Sequence, residues 1–105
     1  MTSREPIKVR IGLYPFTVKT FTRTNEKYDG VTRYDTLTIE IDDSVDDIKT
    51  QLILRHEIVH AILCTQGRAY QEKFGLEEMC EFIAYKLPEI NQVMEYITTQ
   101  WGLDK

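Results

Sequence analysis

The first half of the chain alternates apolar and polar positions in the way that half-buried strands do. Ile7–Ile11 places three β-branched residues on one face and two basic residues on the other. Pro15 interrupts the pattern, which resumes over Thr17–Thr24 and again over Thr36–Ile41, the most regular of the three segments. We therefore expect a short antiparallel β-sheet of three strands, or a hairpin with an added edge strand.

The second half changes to the period of about 3.6 residues that is typical of helices. The pattern predicts a long first helix over Val45–Gln66, capped by Ser44, since an acidic residue follows that serine three positions later. A second helix is predicted over Leu76–Leu87. A third is predicted over Glu89–Trp101, because Pro88 is expected to end one helix or to open the next. The order β-β-β-α-α-α indicates the α+β class.

Length, composition and charge narrow the function classes. The 105 residues suit a single domain over 1–105, and 42% apolar with 29% charged residues is a globular balance. Seventeen acidic against thirteen basic residues give a net charge of −4, which argues against a nucleic-acid partner. No apolar run reaches the ~18 residues of a membrane span, and the first residues do not resemble a signal peptide. We expect a cytoplasmic protein in which Cys64 and Cys80 are reduced thiols.

One motif carries chemistry, the run His56-Glu57-Ile58-Val59-His60 inside the first predicted helix. Residues four apart lie on one helical face, so both imidazoles can reach one metal ion at ~2.0–2.1 Å. Glu57 lies about 100° further round the helix, where its carboxylate can reach a metal-bound water without becoming a ligand. This is the arrangement of metal-assisted hydrolysis, with Zn2+ as the cofactor, His56 and His60 as ligands and Glu57 as the catalytic base.

The motif supplies two ligands, whereas catalytic zinc sites usually have three protein ligands and a water. The chain has no third histidine, so the remaining ligand must be Asp, Glu or Cys. Cys64 continues the histidine row, but two turns of ~5.4 Å each put it too far from His56 for a shared ion. The second predicted helix offers four candidates that the spacing alone does not separate: Glu77, Glu78, Cys80 and Glu81.

The motif, followed by Glu78, by Phe82-Ile83-Ala84 and by Leu87-Pro88, resembles the gluzincin-type metallopeptidases of the ImmA/IrrE-like group. It resembles more closely the small predicted metallopeptidases encoded in phages and prophages. The resemblance covers about one-third of the chain and implies a minimal zincin-like fold in which a central helix carries the motif. It implies Glu78 as the third zinc ligand and peptide-bond hydrolysis as the reaction. The chain departs from the group at Met79, where alanine is usual.

The expected reaction needs further groups besides the motif. Glu57 would take a proton from the attacking water and deliver it to the leaving amine. An oxyanion donor would come from one of five residues: Tyr28, Tyr34, Arg55, Arg68 or Tyr70. By resemblance, Thr36–Ile41 is expected to be the edge strand on which an extended peptide or protein substrate pairs.

Two other functions fit the same residues. A catalytically silent zinc protein with a regulatory role would close its site with four protein ligands, Cys80 being the candidate for the fourth. Alternatively, a phage accessory protein with a vestigial site would act through an interaction surface. That surface would be an apolar stripe on the third predicted helix, and the other interpretation of the stripe is that it belongs to the core. Its residues are Ile90, Val93, Met94, Ile97 and Trp101. The partners expected are thus a peptide or protein, with no nucleic acid and no membrane, and the sequence leaves the oligomeric state open.

Overall fold

A computed structural model of the chain describes residues 4–24, 27–65 and 76–103, without the side chains of 64–65 and 76–80. The described elements are, in order, β1 Ile7–Ile11, β2 Tyr14–Phe21, β3 Gly30–Arg33, β4 Thr38–Asp42, α1 Asp47–Thr65 and α2 Leu76–Trp101. Strands followed by helices confirm the α+β class. Neither of the helices in the described ranges has the length and apolar character needed to cross a bilayer.

The sheet is mixed, whereas the sequence predicted an antiparallel one. Its four strands lie in the order β1-β2-β4-β3, with β2 and β4 parallel and the other two pairs antiparallel. The prediction that Thr36–Ile41 is an edge strand is therefore wrong, since β4 lies between β2 and β3. Ile39 and Ile41 are fully buried, and a strand so deeply buried is stabilised by neighbours on both sides. The edge strand next to β4 is instead the short strand β3, Gly30–Arg33.

A two-residue turn that begins with Gly12 joins β1 to β2. Gly12 has φ of 65°, as the first central position of a type II′ turn requires. The residues that flank such a turn are hydrogen-bonded to each other, and hydrogen-bonded and non-hydrogen-bonded pairs then alternate. Pro15, opposite Arg10, falls at a non-hydrogen-bonded position, and β4 pairs with β2 only from Thr17 onward. The proline therefore lacks no needed donor, and the prediction that it interrupts the strand is wrong.

The cap of α1 differs from the predicted one. Asp46 rather than Ser44 precedes the helix, and Asp46 Oδ1 accepts a hydrogen bond of 2.7 Å from the backbone N–H of Lys49. Ser44 is engaged elsewhere, because both its N–H and its hydroxyl donate to Asp42 Oδ1 at 2.9 Å. The predicted cap, Ser44, therefore hydrogen-bonds to the buried carboxylate of Asp42 instead of capping the helix.

The second and third predicted helices are one continuous helix, α2, with Pro88 inside it. A proline removes one backbone hydrogen bond, here the one to the carbonyl of Ala84 four residues earlier. Both Pro88 and Ala84 are exposed, so water can satisfy that carbonyl. The residues that follow the proline pack into the core, as the burial of Ile90 and Val93 shows, and this packing stabilises the helix beyond Pro88.

The core lies between the sheet and the two helices. From α1 it takes Leu54, Ile58, Ala61 and Ile62, all with no exposed surface. From α2 it takes the predicted apolar stripe, with Ile90, Val93, Met94, Ile97 and Trp101 each no more than 9% exposed. The stripe is therefore core, and the interpretation of this stripe as a partner surface is wrong.

Candidate metal and catalytic site

The motif lies on α1, on the side of the helix that faces away from the core. His56 and His60 are exposed, and the same four-residue row continues toward the start of the helix through Leu52 and Ile48, which are 60% and 74% exposed. The resemblance had implied that the helix with the motif is central in the fold. Instead, one face packs on the sheet and the other is open, so the histidines do not serve as core residues. Glu57, only 6% exposed, lies between the two faces.

The two histidine rings converge. Their Nε2 atoms are 3.1 Å apart, and the ring centroids are separated by 4.7 Å at an interplanar angle of 70°. Two nitrogens bound at ~2.0–2.1 Å to a tetrahedral zinc ion would lie about 3.3 Å apart. The Nε2 atoms are therefore spaced as two ligands of one ion. The same distance also allows one neutral ring to donate a hydrogen bond to the other.

Glu57 is held by a residue of the sheet. The hydroxyl of Thr32, on β3, lies 2.6 Å from Glu57 Oε1 and 3.1 Å from the main-chain oxygen of the same residue. The single hydroxyl proton is shared between these two acceptors, so the carboxylate is tied to the outermost strand. Thr32 could not be predicted as a site residue, because it lies 25 residues before Glu57 and no local pattern links the two.

A glycine allows this contact. A Cβ added at Gly30, the first residue of β3, would lie 2.5 Å from Ile53 Cγ2 and 3.3 Å from the carbonyl oxygen of Glu40. The backbone of β3 therefore approaches α1 more closely than any side chain would permit. That approach brings Thr32 within hydrogen-bonding distance of Glu57.

Two pockets flank Glu57 between α1 and β3. The first, called here the histidine pocket, has a volume of about 290 Å³ and is lined by Gly30, Val31, Thr32, Tyr34, His56, Glu57 and His60. The second, the leucine pocket, has a volume of about 380 Å³ and is lined by Asp29, Gly30, Lys49, Leu52, Ile53, His56 and Glu57. Both pockets include Gly30, His56 and Glu57, so the ring of His56 and the carboxylate of Glu57 face space on two sides, whereas His60 lines the histidine pocket alone.

Of the predicted oxyanion donors, the structure brings Tyr34 to the site, where it lines the histidine pocket. The hydroxyl of Tyr28 instead accepts a hydrogen bond of 3.2 Å from Arg33 Nη2. Arg55 is exposed and lines neither pocket. Arg68 and Tyr70 lie outside the described residues.

The third ligand stays a prediction. Glu77, Glu78 and Cys80 belong to the first turns of α2, but their side chains lie outside the described set, and the described Glu81 is exposed. Among the side chains that the structure does describe, no group of three His, Cys, Asp or Glu residues is placed to hold an ion. The donor chemistry of His56 and His60 fits zinc as two of its ligands.

A network of ion pairs lies beside the leucine pocket, whose lining includes Asp29 and Lys49. Lys49 Nζ lies 3.4 Å from Asp29 Oδ2, and Arg23 forms ion pairs with Asp29 and, at 2.9 Å, with Asp42 Oδ2. Burial alone would raise the pKa of Asp42. The hydrogen bonds from Ser44 and the contact with Arg23 outweigh that effect, so the pKa is lowered below its ordinary value. Asp42 therefore stays ionised and fixes the segments on which the pocket is built.

Comparison of the chain with protein-family models, characterised proteins and solved structures finds no match. What the protein does is therefore inferred from the geometry of the site and from the resemblance of the motif.

Proposed function

We propose that this protein is a zinc-dependent peptidase that hydrolyses peptide bonds, with His56, His60 and Glu78 as the metal ligands. The observation that carries the proposal is the convergence of the two Nε2 atoms beside a carboxylate that a sheet residue holds in place. A zinc ion bound there would polarise the scissile carbonyl and make a water molecule acidic enough to attack near neutral pH.

Glu57 is the proton carrier of the proposed reaction. Its carboxylate accepts the proton of the attacking water and passes it to the amine that leaves. Thr32 donates to Oε1, which restricts the rotation of the carboxylate and leaves its position set by β3. Tyr34, across the histidine pocket, is the candidate donor for the developing oxyanion.

The substrate would be an extended peptide along the outer edge of β3. Among the described residues this strand ends the sheet, and the site lies between it and α1. A peptide added to such an edge gains backbone hydrogen bonds and presents alternate side chains to the helix. Leu52 and Ile53 line the leucine pocket, which favours an apolar side chain next to the cleaved bond. By its resemblance, the enzyme would act in the cytoplasm on a phage or host protein.

The first experiment is metal analysis of the wild type and of His60→Ala, purified without chelators and then incubated with zinc. The proposal predicts about one zinc ion per wild-type chain and its loss in the variant. Glu77→Gln, Glu78→Gln and Glu81→Gln, measured in the same way, identify the third ligand, and only the Glu78 variant is expected to lose affinity. Absence of zinc from the wild type would contradict the proposal.

A peptide library then tests the reaction with the zinc-loaded protein. Cleavage that chelation abolishes and zinc restores supports the peptidase. Stoichiometric zinc without cleavage of any peptide would instead support the alternative function, a catalytically silent zinc-binding regulatory protein of phage or prophage type.

A further inference from the structure

The opposite edge of the sheet, β1, has its own free hydrogen-bonding groups. β1 is a terminal strand, and no strand in the described ranges pairs with its outer side. The alternation that starts at the β1–β2 turn directs the backbone groups of Ile7, Val9 and Ile11 toward β2. Those of Lys8, Arg10 and Gly12 therefore point outward.

Two contacts confirm this assignment of directions. On β2, the N–H of Thr17, opposite Lys8, donates to the Leu37 carbonyl on the β4 side and thus away from β1. On the outer side of β1, the N–H of Gly12 donates to Glu89 Oε2 of α2 at 2.7 Å. The carboxylate of Glu89 takes the place that a carbonyl of an added strand would occupy, so the edge is closed at Gly12 and open at Lys8 and Arg10.

A groove of about 640 Å³ runs between this open edge and α2, with Gln92, Val93 and Tyr96 on its helical side. Tyr96 is 46% exposed, so the groove offers an aromatic surface to an incoming side chain. The groove thus combines a strand edge with a place for one apolar side chain, the two features that an added strand uses for affinity and selectivity.

The charge of this edge selects its occupant. Lys8 and Arg10 are exposed, while the acidic Glu89 is already bonded to Gly12 and lies 3.9 Å from Lys86 Nζ. A second copy of the chain paired at this edge would set the basic residues of β1 against the same residues of its partner, which is unfavourable. An acidic segment would meet complementary charge.

We propose that the β1 edge docks an extended acidic segment of a partner protein as a fifth strand, with one apolar side chain seated against Val93 and Tyr96. This surface lies at the other end of the sheet from the metal site, so the inference does not depend on peptidase activity.

The probe is an acetylated, amidated peptide of alternating Glu and Val, titrated into the full-length, isotope-labelled protein and followed by the amide signals of Lys8 and Arg10. We expect saturable shifts at these amides, and weakening by about tenfold or more in Lys8→Glu/Arg10→Glu. Lys27→Glu/Arg55→Glu, which reverses two charges at exposed positions outside β1, is the matched control and should bind as the wild type does.

Two further peptides separate strand addition from charge alone. The same peptide with N-methyl groups on the edge-facing amides should lose binding, and a Lys-Val peptide should not bind. Failure of the acidic peptide to shift these amides at millimolar concentration would overturn the proposal. Equal binding by the N-methylated peptide, or by the charge-reversed variant, would overturn it as well.

Discussion

The two edges of the sheet offer the same backbone chemistry and differ in what the covering helix adds. At β3, α1 approaches over Gly30 and supplies two imidazoles and a carboxylate that Thr32 holds. At β1, α2 supplies Glu89, which bonds to the edge itself. Under the two proposals, the groups at the first edge would act on a bound chain, whereas those at the second would only hold one.

The two edges therefore differ in the groups that the neighbouring helix supplies and not in their own backbone. An open sheet has two edge strands, and proteins usually protect both of them against pairing with other chains. Here the protection differs, since a carboxylate closes part of the β1 edge while the β3 edge faces two pockets. Four substitutions test this contrast, in order of decreasing effect.

Glu57→Gln should have the largest effect, because it removes the proton acceptor at the β3 edge. We expect peptide hydrolysis by the zinc-loaded protein to fall by about 10²–10⁴-fold while zinc content is unchanged. The Gln side chain keeps an oxygen that can accept from Thr32, so the fold should be preserved. Glu95→Gln, an exposed position on α2, is the control. Full activity in Glu57→Gln would contradict the assigned role.

Gly30→Ala should destabilise the β3 edge by about 1–3 kcal/mol, since the added methyl would lie 2.5 Å from Ile53 Cγ2. Urea unfolding measures this loss. The double variant Gly30→Ala/Ile53→Ala removes the colliding atom. Its loss of unfolding free energy should therefore be smaller than the sum of the losses in the two single variants. Strict additivity in that double-mutant cycle would show that close approach to Ile53 is not the reason for the glycine.

Asp42→Asn should lower the free energy of unfolding at pH 7 by about 1–3 kcal/mol, because the buried carboxylate accepts from Ser44 and Arg23. The folded-state pKa of Asp42 is lowered, so its contribution is present above the unfolded-state pKa and is lost as pH falls through the folded value. The gap between variant and wild type should therefore narrow below about pH 4.

Unfolding curves at pH 7 and pH 3 measure this change for Asp42→Asn and for Asp43→Asn. Asp43 is the neighbouring, half-buried carboxylate, which accepts an exposed hydrogen bond from Thr22, and its substitution should have little effect at either pH. A gap for Asp42→Asn that is equal at both values would rule out the ionised form as the source of stability.

Thr32→Val should have the smallest effect of the four, a loss of about tenfold in kcat with KM and zinc content unchanged. It removes one hydrogen bond to Glu57 and keeps the shape of the side chain. Thr32→Ser retains the hydroxyl and should recover most of kcat. If Ser and Val behave alike, the hydroxyl does not position the carboxylate and β3 serves only as a wall of the pocket.

Features that depend on residues close together in the chain could be predicted from the sequence alone. The helical period located the helix over Asp47–Thr65, and the four-residue spacing predicted that His56 and His60 converge. Alternation found β1 correctly. Such features follow from repeats of 2 and 3.6 residues, which need no knowledge of what lies across the fold.

Contacts between segments far apart in the chain determine which strand ends the sheet and keep Pro88 within one helix. The tertiary structure also brings Thr32 to Glu57, which lies 25 residues later in the chain, and Glu89 to Gly12, which lies 77 residues earlier. Each of these outcomes depends on a partner distant in sequence. Burial of apolar faces brings such partners together, and the local pattern records that a face is apolar but not which surface it meets.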